Sequence, residues 1–360
     1  MALVRMSIKV IIGCVPSMKS ASRISFRLIP KLGLLALGCI VPTVGLPQSS
    51  SFAGAQMSDS GSEDHSTDHV ALLATPTTLD QVGRVLVPVM INGRGPFHFV
   101  VDTGASSSTL APAVARSLGL EAVSTVEVNG ITGVARVPAV KVGSLVAGDM
   151  VLADKDLPVV WAPLMAGADG ILGLAGLDVP NLFVDFQRNR VVLTRASLIH
   201  GATEQTLRLH ASQVLGGLLT FDARVGRVRV RAILDTGAER TLGNMALRDA
   251  LNARSDLGKL VKTKVYGATD EVVNGEIHQA PTIAIDSLRI ADTHIVFGDF
   301  HVFSVWGMQE PALIIGMDVL GRVASLGVDF NRRNVLITSL SSGDSGLGMS
   351  SAAGSTRDRH

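Results

Sequence analysis

The segment Phe99–Pro112 reads FVVDTGASSSTLAP, and Arg231–Asn244 reads RAILDTGAERTLGN. An apolar run ending in Asp-Thr-Gly-Ala is thus written twice, with its two aspartates, Asp102 and Asp235, 133 residues apart. Asp and Gly are both poor strand residues. A carboxylate set among apolar neighbours costs stability unless it is hydrogen-bonded or put to use. The repetition extends further along the chain. VDFQRNRVVLT (Val184–Thr194) matches VDFNRRNVLIT (Val328–Thr338), and GILG (Gly170–Gly173) matches LIIG (Leu313–Gly316). Each of the two tryptophans, Trp161 and Trp306, precedes one of these Gly motifs by a similar distance. Four landmarks in one order describe a duplicated domain. The halves are expected at 81–197 and 206–340, with a short linker near His200.

Between the landmarks, short apolar runs broken by Gly, Asn and Pro point to a mostly β protein. In each half the strand entering Asp-Thr-Gly is followed by a short helix, APAVARSLGL or GNMALRDALN. Alternating segments with Gly at the turn come next, STVEVNGITGVARVPAV and TKVYGATDEVVNGEIH, and read as hairpins. The VDF segments read as a closing hairpin in each half. After Asp-Thr-Gly-Ala the first half carries Ser106-Ser107-Ser108 and the second Glu239-Arg240, so the first loop is expected to be one residue longer. Trp161 and Trp306 are expected in the core.

Charge excludes one large class of partner. The net charge of the 360-residue chain is +1 and its Lys and Arg are scattered, so no basic stripe suggests nucleic acid. Both cysteines, Cys14 and Cys39, fall near the N-terminus, leaving no disulfide framework for the repeats. Lys19, Arg23, Arg27 and Lys31 flank an apolar stretch, Leu32–Leu46, that is short and interrupted by Pro42. AGA at Ala53–Ala55 then supplies a cleavage pattern. Residues 1–55 therefore read as a signal peptide, with translation from Met1 or Met18, and the protein is expected to be exported to the periplasm or secreted. If the segment were retained, it would anchor the protein to a membrane. A lipoprotein site at Cys39 is the weaker reading, since Ala36 stands where Leu is usual.

Residues 56–80 are polar and read as a flexible leader or propeptide, and 341–360 as a disordered Ser/Gly-rich tail. Within the leader, His65 and His69 in EDHSTDH have a spacing that could hold a metal on a helix, but a solvated linker is favoured. No metal or cofactor is expected. GDSGL (Gly343–Leu347) lies in the tail, without the strand and histidine that a serine nucleophile needs.

Hydrolysing a peptide bond without a metal or a nucleophilic side chain requires a water to be activated and the leaving amine to be protonated. Two carboxylates sharing one proton can do both, because like charges about 3 Å apart cannot both ionise. One aspartate per half, brought together at a two-fold interface, would supply that pair.

With these motifs, both halves resemble retropepsin-type aspartic proteases, and LIIGMDVLGRV (Leu313–Val323) is especially similar to the retroviral form. The resemblance implies two similar acid-protease β lobes with short helices and an active site at the lobe interface. It implies Asp102 and Asp235 as the catalytic pair, with Thr103 and Thr236 bracing them. Gly104, Gly237, Ala105, Ala238 and Glu239 would bind substrate, together with Gly130 and Gly267 in the flap hairpins. Retroviral enzymes carry an acidic residue at the Glu239 position that helps hold substrate backbone. Tyr266, the chain's only tyrosine, lies in the second flap and is assigned no role. The expected activity is that of a monomeric aspartic endopeptidase acting on peptide or protein substrates. Two alternatives on the same fold are a catalytically inactive peptide-binding module and a membrane-anchored envelope protein.

Overall fold

The structure is a computed structural model that describes residues 75–80, 83–160, 167–175, 181–194, 206–214 and 217–340. The expected signal segment, the His65/His69 pair, Trp161 and the GDSGL tail lie outside these residues.

Each half is built on one hairpin. Val85–Ile91 and Arg94–Asp102 pair antiparallel across Asn92-Gly93, where both residues have positive φ, the conformation a tight two-residue turn demands. The second strand is exposed at its start and wholly buried over its last four residues. Burial there follows from a third strand, Gly170–Gly173, which pairs with it in parallel on the other side. The second half repeats this. Leu219–Val225 and Val228–Leu234 form the hairpin, and Ala312–Ile315 pairs in parallel with the latter strand. Parallel strands covered on both faces suit the apolar runs FVV and AIL that precede the aspartates.

The chain then turns back through a short strand, Thr109–Leu110 or Leu242–Gly243, antiparallel to the same third strand. The register here corrects the sequence alignment. Thr109 lies opposite Ile171 and Leu242 opposite Ile314, which are equivalent positions, so the two loops have equal length. Ser106, Ser107 and Ser108 stand in the places of Glu239, Arg240 and Thr241. The repeated Thr-Leu dipeptide is out of step by one residue because the fold requires a hydroxyl there rather than a threonine. Ser108 Oγ accepts the Gly173 N–H at 3.2 Å, and Thr241 Oγ1 accepts the Gly316 N–H at 3.2 Å.

The helices follow as expected, at Pro112–Leu118 and Met245–Asn252. The first has Pro in its opening turn and ends on Gly119 in the left-handed conformation. The second is capped by Asn244, whose side-chain oxygen accepts the Leu247 N–H at 3.0 Å. The Asn244 amide also donates to the carbonyls of Met308 and Glu310, tying the helix to the segment before Ala312.

The halves contribute an eight-stranded and a ten-stranded sheet, and together they make a third sheet of six strands. The VDF hairpins form, Asn181–Asp185 with Arg190–Thr194 and Ser325–Asp329 with Asn334–Thr338. They also pair with each other, Asn181–Asp185 running antiparallel to Ser325–Asp329 with Phe183 opposite Gly327. Thr206–His210 completes one edge of this sheet and Thr75–Pro76 the other. The segment expected to be flexible through residue 80 is therefore shorter. Thr75–Pro76 and Thr78–Leu79 are strands, and Arg84 Nε donates to Asp80 Oδ2 at 2.6 Å in a buried ion pair.

One apolar cluster runs through both halves, with Phe99, Val101, Leu182 and Val184 from the first and Leu234, Ile315, Leu326 and Val328 from the second. Burial of each such side chain contributes about 1.5–3 kcal/mol. Trp306 is buried, its ring edge-on to Phe303.

Candidate active site

Asp102 and Asp235 end the two central strands and are 1% and 0% exposed. Each carboxylate is held by its own loop. The Gly104 N–H donates to Asp102 Oδ1 at 2.8 Å, and the Gly237 N–H to Asp235 Oδ1 at 3.1 Å.

The two loops are then locked to one another by their threonines. Thr103 Oγ1 donates to the Leu234 carbonyl at 2.8 Å and accepts the Thr236 N–H at 3.2 Å. Thr236 Oγ1 donates to the Val101 carbonyl at 2.7 Å and accepts the Thr103 N–H at 3.1 Å. A hydroxyl can do this because it carries one donor and two acceptor sites. Each therefore grips the backbone on either side of the opposing aspartate. Glycine after threonine is a steric necessity on at least one side. A Cβ on Gly237 would stand 2.2 Å from Asp102 Oδ2, so the second loop's backbone lies against the first loop's carboxylate.

Behind the loops the halves differ. The Ala105 carbonyl accepts the Ala175 N–H, whereas the Ala238 carbonyl accepts the N–H of Met317, one position earlier in the repeat. In the second half, Asp318 adds further bonds. Its N–H donates to the Glu239 carbonyl, and its Oδ1 accepts from Thr241 Oγ1 at 2.8 Å. Burial pushes the Asp318 carboxyl above its ordinary value of 3.8, against the opposing pull of the Thr241 hydrogen bonds and the Arg240 charge. The equivalent residue of the first half is Ala175. Glu239 is mostly buried, with Oε1 3.5 Å from Arg240 Nε, while its counterpart is Ser106.

Two hairpins, the expected flaps, reach the aspartate loops, their tips clustering with Ala238 and Ala105. The first is Ala122–Asn129 with Val134–Ala147, the second Leu260–Tyr266 with Val272–Ala280. Their tips cross, Thr132 Oγ1 and Thr269 Oγ1 being 2.9 Å apart. Gly130 and Gly267 sit at this crossing. A Cβ on Gly267 would stand 2.6 Å from Thr132 Oγ1, and one on Gly130 would be 3.1 Å from Thr269 Cγ2. Each tip reaches into the opposite half. Ile131 packs with Ala238, Leu242 and Ile314, and Ala268 packs with Ala105, Val128 and Ile171. Asn129, at the root of the first tip, meets His301 Nε2 from the second half at 3.1 Å.

All eleven site residues named from the sequence thus fall on the two aspartate loops or the flap tips. Sequence reasoning passed over Ser108, Thr241, Asp318, Thr132 and Thr269. A hydroxyl recurring between the Asp-Thr-Gly-Ala motifs and the helices could have indicated the first two.

A family model described as aspartyl protease matches residues 87–175 and 221–319, one segment in each half. A comparison with curated proteins gave no significant match.

Proposed function

The chain belongs to the aspartyl protease family, and from that premise we propose that it is an endopeptidase in which Asp102 and Asp235 together activate a water molecule. One carboxylate is ionised and takes a proton from the water as its oxygen attacks the scissile carbonyl carbon. The other holds a proton and gives it to the carbonyl oxygen. Collapse of the resulting diol breaks the C–N bond, and the proton gained by the base passes to the departing amine. No cofactor enters this scheme.

The observation that supports the reading is the reciprocal bracing by Thr103 and Thr236, which ties together the loops that carry two buried carboxylates. Buried acids without such use would only cost stability. Gly104, Gly237, Ala105, Ala238 and Glu239 form the floor beneath an extended peptide, and Gly130 and Gly267 lie above it. The substrate enters when the Thr132–Thr269 contact parts, and reclosure excludes bulk water. Since one chain supplies both aspartates, the active species is a monomer. Export to the periplasm or medium by the N-terminal segment keeps it from the cell's own proteins.

The test is a peptide-library digest by the purified chain beside Asp102→Asn and Asp235→Asn. Each variant should fold and lose turnover by several orders of magnitude, because neither carboxylate is both base and acid in one step. Wild-type specific activity should not change on dilution. Near-normal kcat in either variant would overturn the shared mechanism. Tight peptide binding by the wild type without cleavage would make the protein a binding module instead.

A further inference from the structure

The outer face of the second half carries a row of arginines gathered by strand pairing. The hairpin of Leu219–Val225 and Val228–Leu234 buries alternate residues and exposes Asp222, Arg224, Arg229 and Arg231. Arg224 lies directly opposite Arg229. On its other side Arg224 faces Ala284 of Ile283–Ile285, and Ala284 in turn faces Arg289 of Leu288–Ile290. Cross-strand neighbours share a face of the sheet, so Arg229, Arg224, Ala284 and Arg289 form one line across four strands.

Like charges directly opposite one another destabilise a sheet. Among the described residues, neither Arg224 nor Arg229 makes an ion pair that would offset this. Their neighbours are partly engaged. Arg231 Nε is 3.8 Å from Asp222 Oδ1, and Arg289 Nη1 donates to the carbonyls of Asp286 and Leu288. The first half shows that the architecture does not require the pair. There Pro88 lies opposite His98 where the second half has Asp222 opposite Arg231, and Met90 stands in the place of Arg224.

The same arginines line an open hollow of about 600 Å³. Ala284, the one short side chain in the line, leaves room between Arg224 and Arg289. Paired strands lie about 4.8 Å apart, so Arg229 is adjacent to Arg224 and Arg289 stands about 10 Å beyond it. A guanidinium presents a fork of N–H donors that matches a phosphate or a carboxylate. Asp286 and Glu310 also line the hollow and would repel a long polyanion running past the row.

From this row we infer a binding site for a compact dianion, a small molecule with two phosphate or carboxylate groups joined by a short spacer. One anionic group sits between Arg224 and Arg229 and cancels their repulsion. The other meets Arg289 across Ala284. None of these residues belongs to the aspartate loops or the flaps, and the inference rests on no part of the protease reading.

The experiment titrates the full-length protein with methylphosphonate and with alkane diphosphonates of increasing chain length, by calorimetry, alongside thermal unfolding. The wild type should bind one diphosphonate length about tenfold or more tighter than methylphosphonate. Arg224→Gln and Arg229→Gln should each weaken that binding about tenfold or more. Arg116→Gln, at an exposed arginine of the first half's helix, should leave it unchanged. Without ligand and at low salt, Arg224→Gln should melt at or above the wild-type temperature, because a like-charge contact has been removed. The diphosphonate should raise the melting temperature of the wild type more than that of Arg224→Gln. Diphosphonates that bind no tighter than methylphosphonate would overturn the inference. Equal losses in Arg116→Gln would also overturn it, by reducing the effect to net charge. A ligand-free melting temperature lowered by several degrees in Arg224→Gln would do the same, since the arginine would then serve the fold. Duplex DNA or phosphatidylglycerol vesicles bound more tightly than any diphosphonate, through the same arginines, would make this face a surface for a macromolecule instead.

Discussion

Replacing Gly237 with alanine adds one methyl group at the most confined point of the aspartate site. The new Cβ would begin 2.2 Å from Asp102 Oδ2 and 2.3 Å from its Cγ, whereas ordinary contact starts at 3.4 Å. Carboxylate and loop must therefore separate by about 1 Å, since contact between carbons is comfortable only near 3.5–4.0 Å. Neither side can yield freely. The Asp102 carboxylate is tethered by the Gly104 N–H, and the Gly237 loop by the Thr236 bonds to Val101 and Thr103. Misplacement of a catalytic group by about 1 Å costs roughly a hundredfold in rate, and overpacking a tight site costs about 1–3 kcal/mol of stability. Gly237→Ala should thus fold with a lowered melting temperature and lose about 2–3 kcal/mol of transition-state stabilisation, chiefly in kcat. Steady-state hydrolysis of a library-derived peptide, with denaturant unfolding in parallel, measures both. A variant with kcat within a factor of about three of wild type would show that Asp102 does not need this placement for catalysis.

Thr236→Val removes a hydroxyl that satisfies the Val101 carbonyl and the Thr103 N–H. With each orphaned buried group costing about 1–3 kcal/mol, denaturant unfolding should register a loss of about 2–5 kcal/mol, largely restored in Thr236→Ser; a loss below about 1 kcal/mol would mean the brace is dispensable. Asp318→Asn keeps the bond from Thr241 Oγ1 but cannot ionise. Because burial raises the Asp318 carboxyl, its favourable contribution is complete below 3.8 and is lost as pH rises through the folded-state value. The variant should therefore melt close to wild type at about pH 3 and above it at about pH 7, and a gap that does not change with pH would refute this.

Much of this architecture could be read from the residues because duplication doubles every signal. Asp102, Thr103 and Gly104 gain meaning from Asp235, Thr236 and Gly237, and the apolar runs before them suit strands buried on both faces. The helices were legible as the segments following the Asp-Thr-Gly turns, and the structure ends them at Pro112, Gly119 and Asn244. What escaped was the choice of partner. VDFQRNRVVLT announces a hairpin, but nothing in it says that Asn181–Asp185 will pair with Ser325–Asp329, since a strand edge is indifferent to where its neighbour comes from in the sequence. Loop equivalence escaped for another reason. Ser108 and Thr241 share a hydroxyl and not a name, so aligning letters shifted the register by one. Asp318 and the crossing of Thr132 with Thr269 were invisible because each depends on residues distant in the chain.

The six-stranded sheet shared by the halves imposes a timetable. When Asp102 and its hairpin emerge during synthesis, the loop that will brace them lies 133 residues later. Asn181–Asp185 waits for Ser325–Asp329, and Thr206–His210 waits for Asn334–Thr338, near the end of the described chain. Such distant pairings form late, because the entropy of closing a long loop must be met before any contact repays it. A chain interrupted anywhere before Ser325 has one half's strand edge open and lacks the strand pairing that joins the halves. The site that holds both aspartates is therefore completed only late in synthesis.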